Sequence, residues 1–200
     1  MKAFIFSSGP DREAAAMCHR RLGDLGVSSV VALDRQDAVD LRPWEIATSF
    51  PRGRRLKGSA CAIGIAELMA GEQGTVCKVD ADMLLSRAGV EWLASTAEHA
   101  HGYSLKASKV RWTGCWSATS EVMAEVAEKL AAFPPCNDCG ESNLMHAAFK
   151  ATCGIRRFPL PVVQVWRAGR LKYHKAHVVT LPSGLPAVVR TAELRDLFGV

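Results

Sequence analysis

Two aspartates separated by a single alanine, Asp80 and Asp82, close the run Thr75-Val76-Cys77-Lys78-Val79. Carboxylates at i and i+2 with a small residue between them can both turn toward one ion as the chain leaves a strand. Hard oxygen ligands in that arrangement suit Mg²⁺ or Mn²⁺, which bridges the oxygens of a diphosphate and offsets their charge. Two solvated loop aspartates would look the same in sequence, so the elements that carry the pair have to decide. A second cluster competes for attention. Cys136-Asn137-Asp138-Cys139, with His146 and Cys153 further on, has enough N and S donors for a structural zinc ion. Zinc fingers and ribbons space their second pair close together, however, and His146 falls mid-helix, so packed thiols in the turn after Pro134-Pro135 are the expected state.

Lys2 to Phe6 reads as a strand, and Gly9-Pro10-Asp11 supplies a turn and a helix N-cap. Ala14, Met17, Cys18, Arg21, Leu22 and Leu25 recur at helical spacing, and Gly26 stands where a C′ glycine belongs. Val27 to Leu33 is a second strand, ending at Asp34. Strand, helix and strand joined by short links imply a parallel pair. Residues 35 to 57 carry Pro43, Pro51 and Gly53 without periodicity, and are expected to form a long connection that ends in the basic cluster Arg52-Gly53-Arg54-Arg55-Leu56-Lys57. Gly58 leads into a helix with Ala62, Ile65, Ala66 and Met69 on one face, closed by Gly71, and Thr75 to Val79 is the third strand. This alternation predicts an α/β fold with a Rossmann-like, mostly parallel central sheet flanked by helices. The aspartate pair then falls at the carboxyl end of a central strand, where open α/β sheets place their ligands. Further along, the spacing predicts a helix within Ser86 to His99, strands near Gly102 to Ser108 and Thr113 to Ala118, and a helix after Ser120. A short helix over about Glu141 to Lys150, an extended stretch from Ile155 to Trp166 and a last short helix beyond Gly184 complete the chain.

The chain has 200 residues, 48% of them apolar and 22% charged, which excludes disorder as the main state and predicts a single domain over 1–200. No run of 18 uncharged apolar residues occurs, so no membrane span is expected. Met1 to Phe6 breaks at Ser7-Ser8-Gly9-Pro10 before a signal-peptide core forms, which makes a cytoplasmic location the expectation. A net charge of +5 is too small to argue for nucleic acid and suits a phosphorylated small molecule. Seven cysteines, most of them in apolar runs such as Ala60-Cys61-Ala62, read as reduced, buried thiols.

The order of elements resembles the GT-A fold of glycosyltransferases that use nucleotide diphosphate sugars. The resemblance rests on Phe4-Ile5-Phe6-Ser7-Ser8-Gly9-Pro10, Val30-Val31-Ala32-Leu33-Asp34, Arg54-Arg55-Leu56-Lys57-Gly58-Ser59-Ala60 and Cys77-Lys78-Val79-Asp80-Ala81-Asp82-Met83, in that order. It covers most of residues 1 to 180 and is most specific in 1–85, the nucleotide-binding half, with 86–200 as the acceptor-side half. It implies that Asp80 and Asp82 bind Mn²⁺ or Mg²⁺ and the diphosphate, that Ser7 and Ser8 line the nucleotide pocket, and that Asp34 lies near the base or ribose. Arg55 and Lys57 would neutralise leaving-group phosphates, although a charge run is also what a solvated face looks like. A late histidine often completes the metal shell in this fold, and Tyr173-His174-Lys175-Ala176-His177 is the place for it. An imidazole ligand tilts preference toward Mn²⁺, and on a β segment His174 and His177 point to different faces, so at most one serves.

In the carboxyl half, Gly114-Cys115-Trp116-Ser117-Ala118 and Gly140-Glu141-Ser142-Asn143-Leu144 resemble the acceptor-side motifs of the same class, with Gly140 standing where an acid usually precedes the base. For an inverting transfer Glu141 is then the expected general base, with Asp138 in reserve. An acid favoured by the helix dipole reads the same way. Trp112, Trp116 and Trp166 are candidates to stack on a sugar ring or to fill core and rim. Haloacid dehalogenase-like phosphatases are the rival enzyme class, but they carry D-x-D on the first strand, with Thr or Val where Leu84 stands here. Nucleotidyltransferases lack support because Ser8-Gly9-Pro10-Asp11-Arg12 is not their G-x-G-x-R loop. A nucleotide- or partner-binding module without turnover is the non-enzymatic reading. A chain of this length is close to the minimum for such a core, which invites an acceptor site completed by a partner chain or a second copy.

Overall fold

The structure, a computed structural model, describes residues 1–50, 58–81, 83–85, 87–104, 112–158, 162–166, 170–172, 179–180 and 186–187. Its centre is a seven-stranded sheet built from β1 (Lys2–Ser7), β2 (Ser28–Leu33), β3 (Glu45–Ala47), β4 (Thr75–Asp80), β6 (Ala100–Ser104), β7 (Trp112–Thr119) and β8 (Ile155–Phe158), with β5 (Met83–Leu85) outside it. The order across the sheet is β3-β2-β1-β4-β7-β6-β8. β7 runs antiparallel to both of its neighbours, and the remaining pairs are parallel. The expected mostly parallel α/β sheet flanked by helices is therefore what the chain forms. β5, β9 (Val162–Trp166) and β10 (Arg170–Lys172) make a small antiparallel sheet beyond the carboxyl end of β4, and β11 (Val179–Thr180) pairs with β12 (Pro186–Ala187).

Among the described residues, five α-helices pack around the main sheet: α1 (Arg12–Asp24), α2 (Ser59–Ala70), α3 (Arg87–Ala94), α4 (Ser120–Ala132) and α5 (Glu141–Thr152). Parallel strands covered on both faces read as continuous apolar runs, and β1 shows why. Ala3 and Ile5 join a core with α1 residues Ala15, Cys18 and Leu22, while Phe4 and Phe6 join the opposite core with residues of α2, α4 and α5. α1 ends where Gly26 takes φ 76°, a conformation that costs glycine little. α4 starts at Thr119, whose hydroxyl accepts the Val122 N–H at 3.3 Å. α5 is seated on the sheet by Phe149, which meets the fully buried Trp116 edge-on at 5.0 Å between ring centroids. That pairing puts Trp116 in the core rather than at a sugar-binding surface.

The stretch 35 to 57 corrects the sequence reading. It is not simply a connection, because Glu45–Ala47 adds β3 to the sheet edge, parallel to β2. The strand is fixed by a side chain rather than by its own three residues. Arg12 at the start of α1 donates from Nε to Glu45 Oε1 at 2.9 Å and from Nη2 to Oε2, and the Arg42 N–H reaches Oε2 at 2.8 Å. The Arg12 hydrogen bond, ahead of burial, holds the Glu45 carboxyl below the usual carboxylate range. Of the last short helix expected beyond Gly184, the described residues Pro186–Ala187 are strand β12 and not helix, and the rest falls outside the described residues.

Because Phe149 is the largest of the α5 side chains buried in the core, beside Met145 and Ala148, Phe149→Ala should lower the unfolding free energy by about 3–5 kcal/mol, the usual cost of emptying an aromatic core site. Exposed Lys150→Ala, one residue on, should stay within about 0.5 kcal/mol. Urea midpoints of the two variants check this, and equal midpoints would mean that α5 is not anchored there.

Candidate active site at the carboxyl end of the sheet

From β1 the chain crosses to β2 on one side, and β4 pairs with β1 on the other. The carboxyl ends of β1 and β4 thus flank a topological switch point, the place where open α/β sheets leave a crevice for a ligand. The register brings the expected residues together there. Ser7 is level with Leu33, which precedes Asp34, and Phe6 is level with Asp80, whose neighbour Ala81 donates its N–H to the Phe6 carbonyl at 3.2 Å. Asp34 and Asp80 stand two strand spacings apart, roughly 10 Å, with the Ser7-Ser8 turn between them.

The turn after β1 is held from the turn after β2. Asp37 Oδ2 accepts the Gly9 N–H at 2.8 Å, and a Cβ on Gly9 would come within 2.8 Å of Asp37 Oδ1, so any side chain there would push the carboxylate aside. Ser8 donates to Asp11 Oδ2 at 2.9 Å and Ser7 donates to the Ser8 carbonyl at 3.0 Å. Asp34, 9% exposed, closes its own turn by accepting the Gln36 N–H at 3.1 Å. Asp37 was not among the residues expected from sequence; an aspartate in a turn beyond the end of β2 has no pattern to mark it.

The strongest feature of the site was also not anticipated. Lys78, only 1% exposed, lies on β4 in register with Phe4 on one side and Trp116 on the other. Its ammonium sits 2.6 Å from Asp80 Oδ1 and 3.5 Å from Glu141 Oε2. A lysine buried this deeply requires charged partners, and among the described residues they include the expected donor-site acid and the expected acceptor-side acid. Glu141 opens α5 and is 1% exposed; Ser142 donates to its Oε2 at 3.2 Å, and its Oε1 is buried without a hydrogen-bond partner. Burial pushes the Glu141 carboxyl up, the Asp80 charge adds to this, and the Lys78 charge opposes it. The signal in the sequence was a single charge inside Val76-Cys77-Lys78-Val79, where a two-face-buried strand has no room for one.

Cys136 and Cys139 are joined by a disulfide, which corrects both the expected reduced state of this pair and the zinc reading. Their sulfurs bind each other, Cys153 Sγ lies on the Gly154 carbonyl at 3.2 Å, and no group of three metal-binding side chains occurs among the described residues. Cys18, Cys61, Cys77 and Cys115 are buried thiols outside any disulfide, as expected. The disulfide loop packs on the start of α2: the Cys139 carbonyl accepts the Gly58 N–H and the Cys136 carbonyl the Ser59 N–H, each at 2.8 Å. Gly58 allows this with φ 85°, and a Cβ there would come 3.3 Å from the Cys136 carbonyl oxygen. Asp138, at the loop's tip, is exposed. Asp82, Arg52, Arg54, Arg55, Lys57, His174, Lys175 and His177 lie outside the described residues, as do the side chains of Trp112 and Trp166.

No family model matches the chain, and no curated protein matches it. Among solved structures it is similar to a glycosyltransferase involved in glycosylating the major capsid of PBCV-1, at 8% identity over 78% of this chain and 81% of that one, with a TM-score of 0.46. It is also similar to the galactosyltransferase LgtC solved with donor and acceptor sugar analogues, at 10% identity, 80% and 74% coverage and a TM-score of 0.44. A third likeness is to the catalytic domain of Drosophila β1,4-galactosyltransferase 7 in complex with xylobiose, at 9% identity, 62% of this chain and 51% of that one, with a TM-score of 0.40.

Proposed function

We propose that the chain transfers a glycosyl group from a nucleotide diphosphate sugar to an acceptor hydroxyl. The observation that carries this reading is the meeting of Ser7-Ser8, Asp34 and Asp80 at the switch point of the sheet, with Asp80 wired through Lys78 to the first residue of α5. In this reading Asp34 serves the ribose or base, and Asp80, two strands away, the diphosphate. The Asp80 side chain is 35% exposed and presents hard oxygens at a strand end, which fits a divalent cation. In this reading Asp80 and Asp82, with His174 or His177, hold Mn²⁺ or Mg²⁺, and the cation offsets the charge of the leaving diphosphate. A general base has to come within hydrogen-bond reach of the acceptor hydroxyl. Glu141 is covered, so its part here is to hold Lys78, and the base in an inverting transfer falls to exposed Asp138. A phosphatase of the D-x-D type is disfavoured because the aspartate pair follows β4 rather than the first strand.

A thermal-shift panel of UDP-, GDP-, ADP- and CMP-sugars, each with and without Mn²⁺, tests the donor site. One nucleotide class should raise the melting temperature by roughly 5–10 °C at a hundredfold excess over Kd, and only with the metal. Asp80→Ala should abolish the shift, and silence from all four classes would sink the reading. Slow donor hydrolysis or transfer by the stabilised protein separates an enzyme from a nucleotide-binding module.

The buried acid makes a separate prediction. Because the Glu141 pKa lies above its unfolded value, about 4.3, its contribution to stability is fully present below that pH and is lost as pH climbs through the raised folded value. Glu141→Gln removes the titration, so the melting temperature of the variant should gain on the wild type between pH 4 and pH 8. Parallel melting curves across that range would contradict the assignment.

A further inference from the structure

Among the described residues, one buried ammonium faces two carboxylates at unequal distances. Lys78 Nζ is at 2.6 Å from Asp80 Oδ1 and at 3.5 Å from Glu141 Oε2, while Glu141 Oε1 is buried with no hydrogen-bond partner. An ion pair serving stability alone would be expected to satisfy both oxygens of a buried carboxylate, since an unmade hydrogen bond to a buried charge is costly. Glu141 instead keeps an open acceptor next to a cation that is held more closely by another group. A lysine ammonium has three donors on a four-carbon stem, and a shift of roughly 1 Å at its tip would bring it to charge-assisted bonding distance of Glu141. Asp80 is the member of the trio that solvent reaches, with 35% of its side chain exposed against 1% for each of the other two.

We propose that Lys78 is a resident cation with two seats: it neutralises Asp80 until a divalent cation takes that carboxylate, and then moves onto Glu141. The inference rests on the reading of Asp80 as a donor-site metal ligand and adds what that reading lacks, a reason for a lysine between the two acids. A dication and an ammonium on one carboxylate repel each other. Glu141 gives the displaced charge a place inside the protein, so that no unpaired ammonium is left in the core. Lys78 is on these terms a positioning residue. It sets how readily Asp80 accepts metal, and it carries news of metal binding from β4 to the start of α5.

The test is Mn²⁺ binding by the whole chain, with Mn²⁺ alone as the probe and free Mn²⁺ read by electron paramagnetic resonance. Lys78→Met by itself strands a buried carboxylate and is expected to unfold, so the double variant Lys78→Met/Glu141→Gln, which is neutral at both positions, carries the first arm. It should bind Mn²⁺ roughly tenfold more tightly than the wild type, because the internal competitor for Asp80 is gone. Glu141→Gln alone should bind several-fold more weakly, because the ammonium has lost its second seat. A purely structural role would weaken binding in both. Unchanged or weaker binding by the folded double variant, or undiminished binding by Glu141→Gln, would overturn the proposal while leaving the donor site standing. Absence of Mn²⁺ binding in the wild type would bring down both together.

Discussion

A lysine ammonium inside a sheet has to be answered by charge, and much of the architecture around the crevice follows from that. Taking an ion out of water costs several kcal/mol even after the protein relaxes, and a buried pair repays this only with good geometry. Lys78 meets the requirement with Asp80 on its own strand and Glu141 from a helix more than sixty residues later. The first partner comes with the strand, since i and i+2 share a face. The second obliges α5 to dock with its first turn at the carboxyl end of β4. The T-shaped contact of Phe149 with Trp116 supplies the apolar part of that docking, and Trp116 is level with Lys78 across the β4–β7 pair. Apolar and ionic contacts therefore fix the same helix at two places, and the ionic one selects which residue begins it.

The crevice on the other side of Asp80 depends on a smaller constraint of the same kind. Three turns have to meet where the strand order reverses, and their backbone N–H groups and carboxylates must be paired among themselves or with a ligand. Asp37 does this for the turn after β1, and the absence of a side chain on Gly9 is what lets the carboxylate reach it. Ser8 and Asp11 close the same turn from within. The outcome is a loop whose shape is set by polar contacts within and between the turns and by Ile5, Phe6 and Leu33 beneath, which is the arrangement that lets a surface loop present fixed groups.

How much of this was legible in the sequence depended on whether a residue's role was local. β1, β2, β4 and all five helices lie close to where apolar spacing puts them, because periodicity reports which face is buried. The aspartate at the end of β4 and the glutamate at the start of α5 were likewise visible as acids at element ends. β3 was not, because three residues carry no period and the strand exists through Arg12 gripping Glu45 from another element. The disulfide was hidden for a different reason: Cys-x-x-Cys spacing serves metal ligation and sulfur pairing alike, and only the fold decides. Lys78 was overlooked because the run Thr75 to Val79 reads as a strand with or without it; its meaning appears only once Glu141 is placed opposite.

The disulfide loop ties these parts together mechanically. Its carbonyls, from Cys136 and Cys139, take the N–H groups of Gly58 and Ser59 at the start of α2, and one residue past Cys139 the chain turns at Gly140 into Glu141. The first turn of α5 and the start of α2 are thus joined through a loop closed by a covalent bond. The sequence just before α2 is the basic stretch Arg52 to Lys57. A change of charge at Asp80 has a short physical route to it: from β4 through the Lys78 ammonium to Glu141, through Gly140 into the loop, and across two backbone hydrogen bonds to Gly58 and Ser59. Every link on that route is a hydrogen bond, an ion pair or a covalent bond between neighbours, and it ends at the backbone of Gly58 and Ser59.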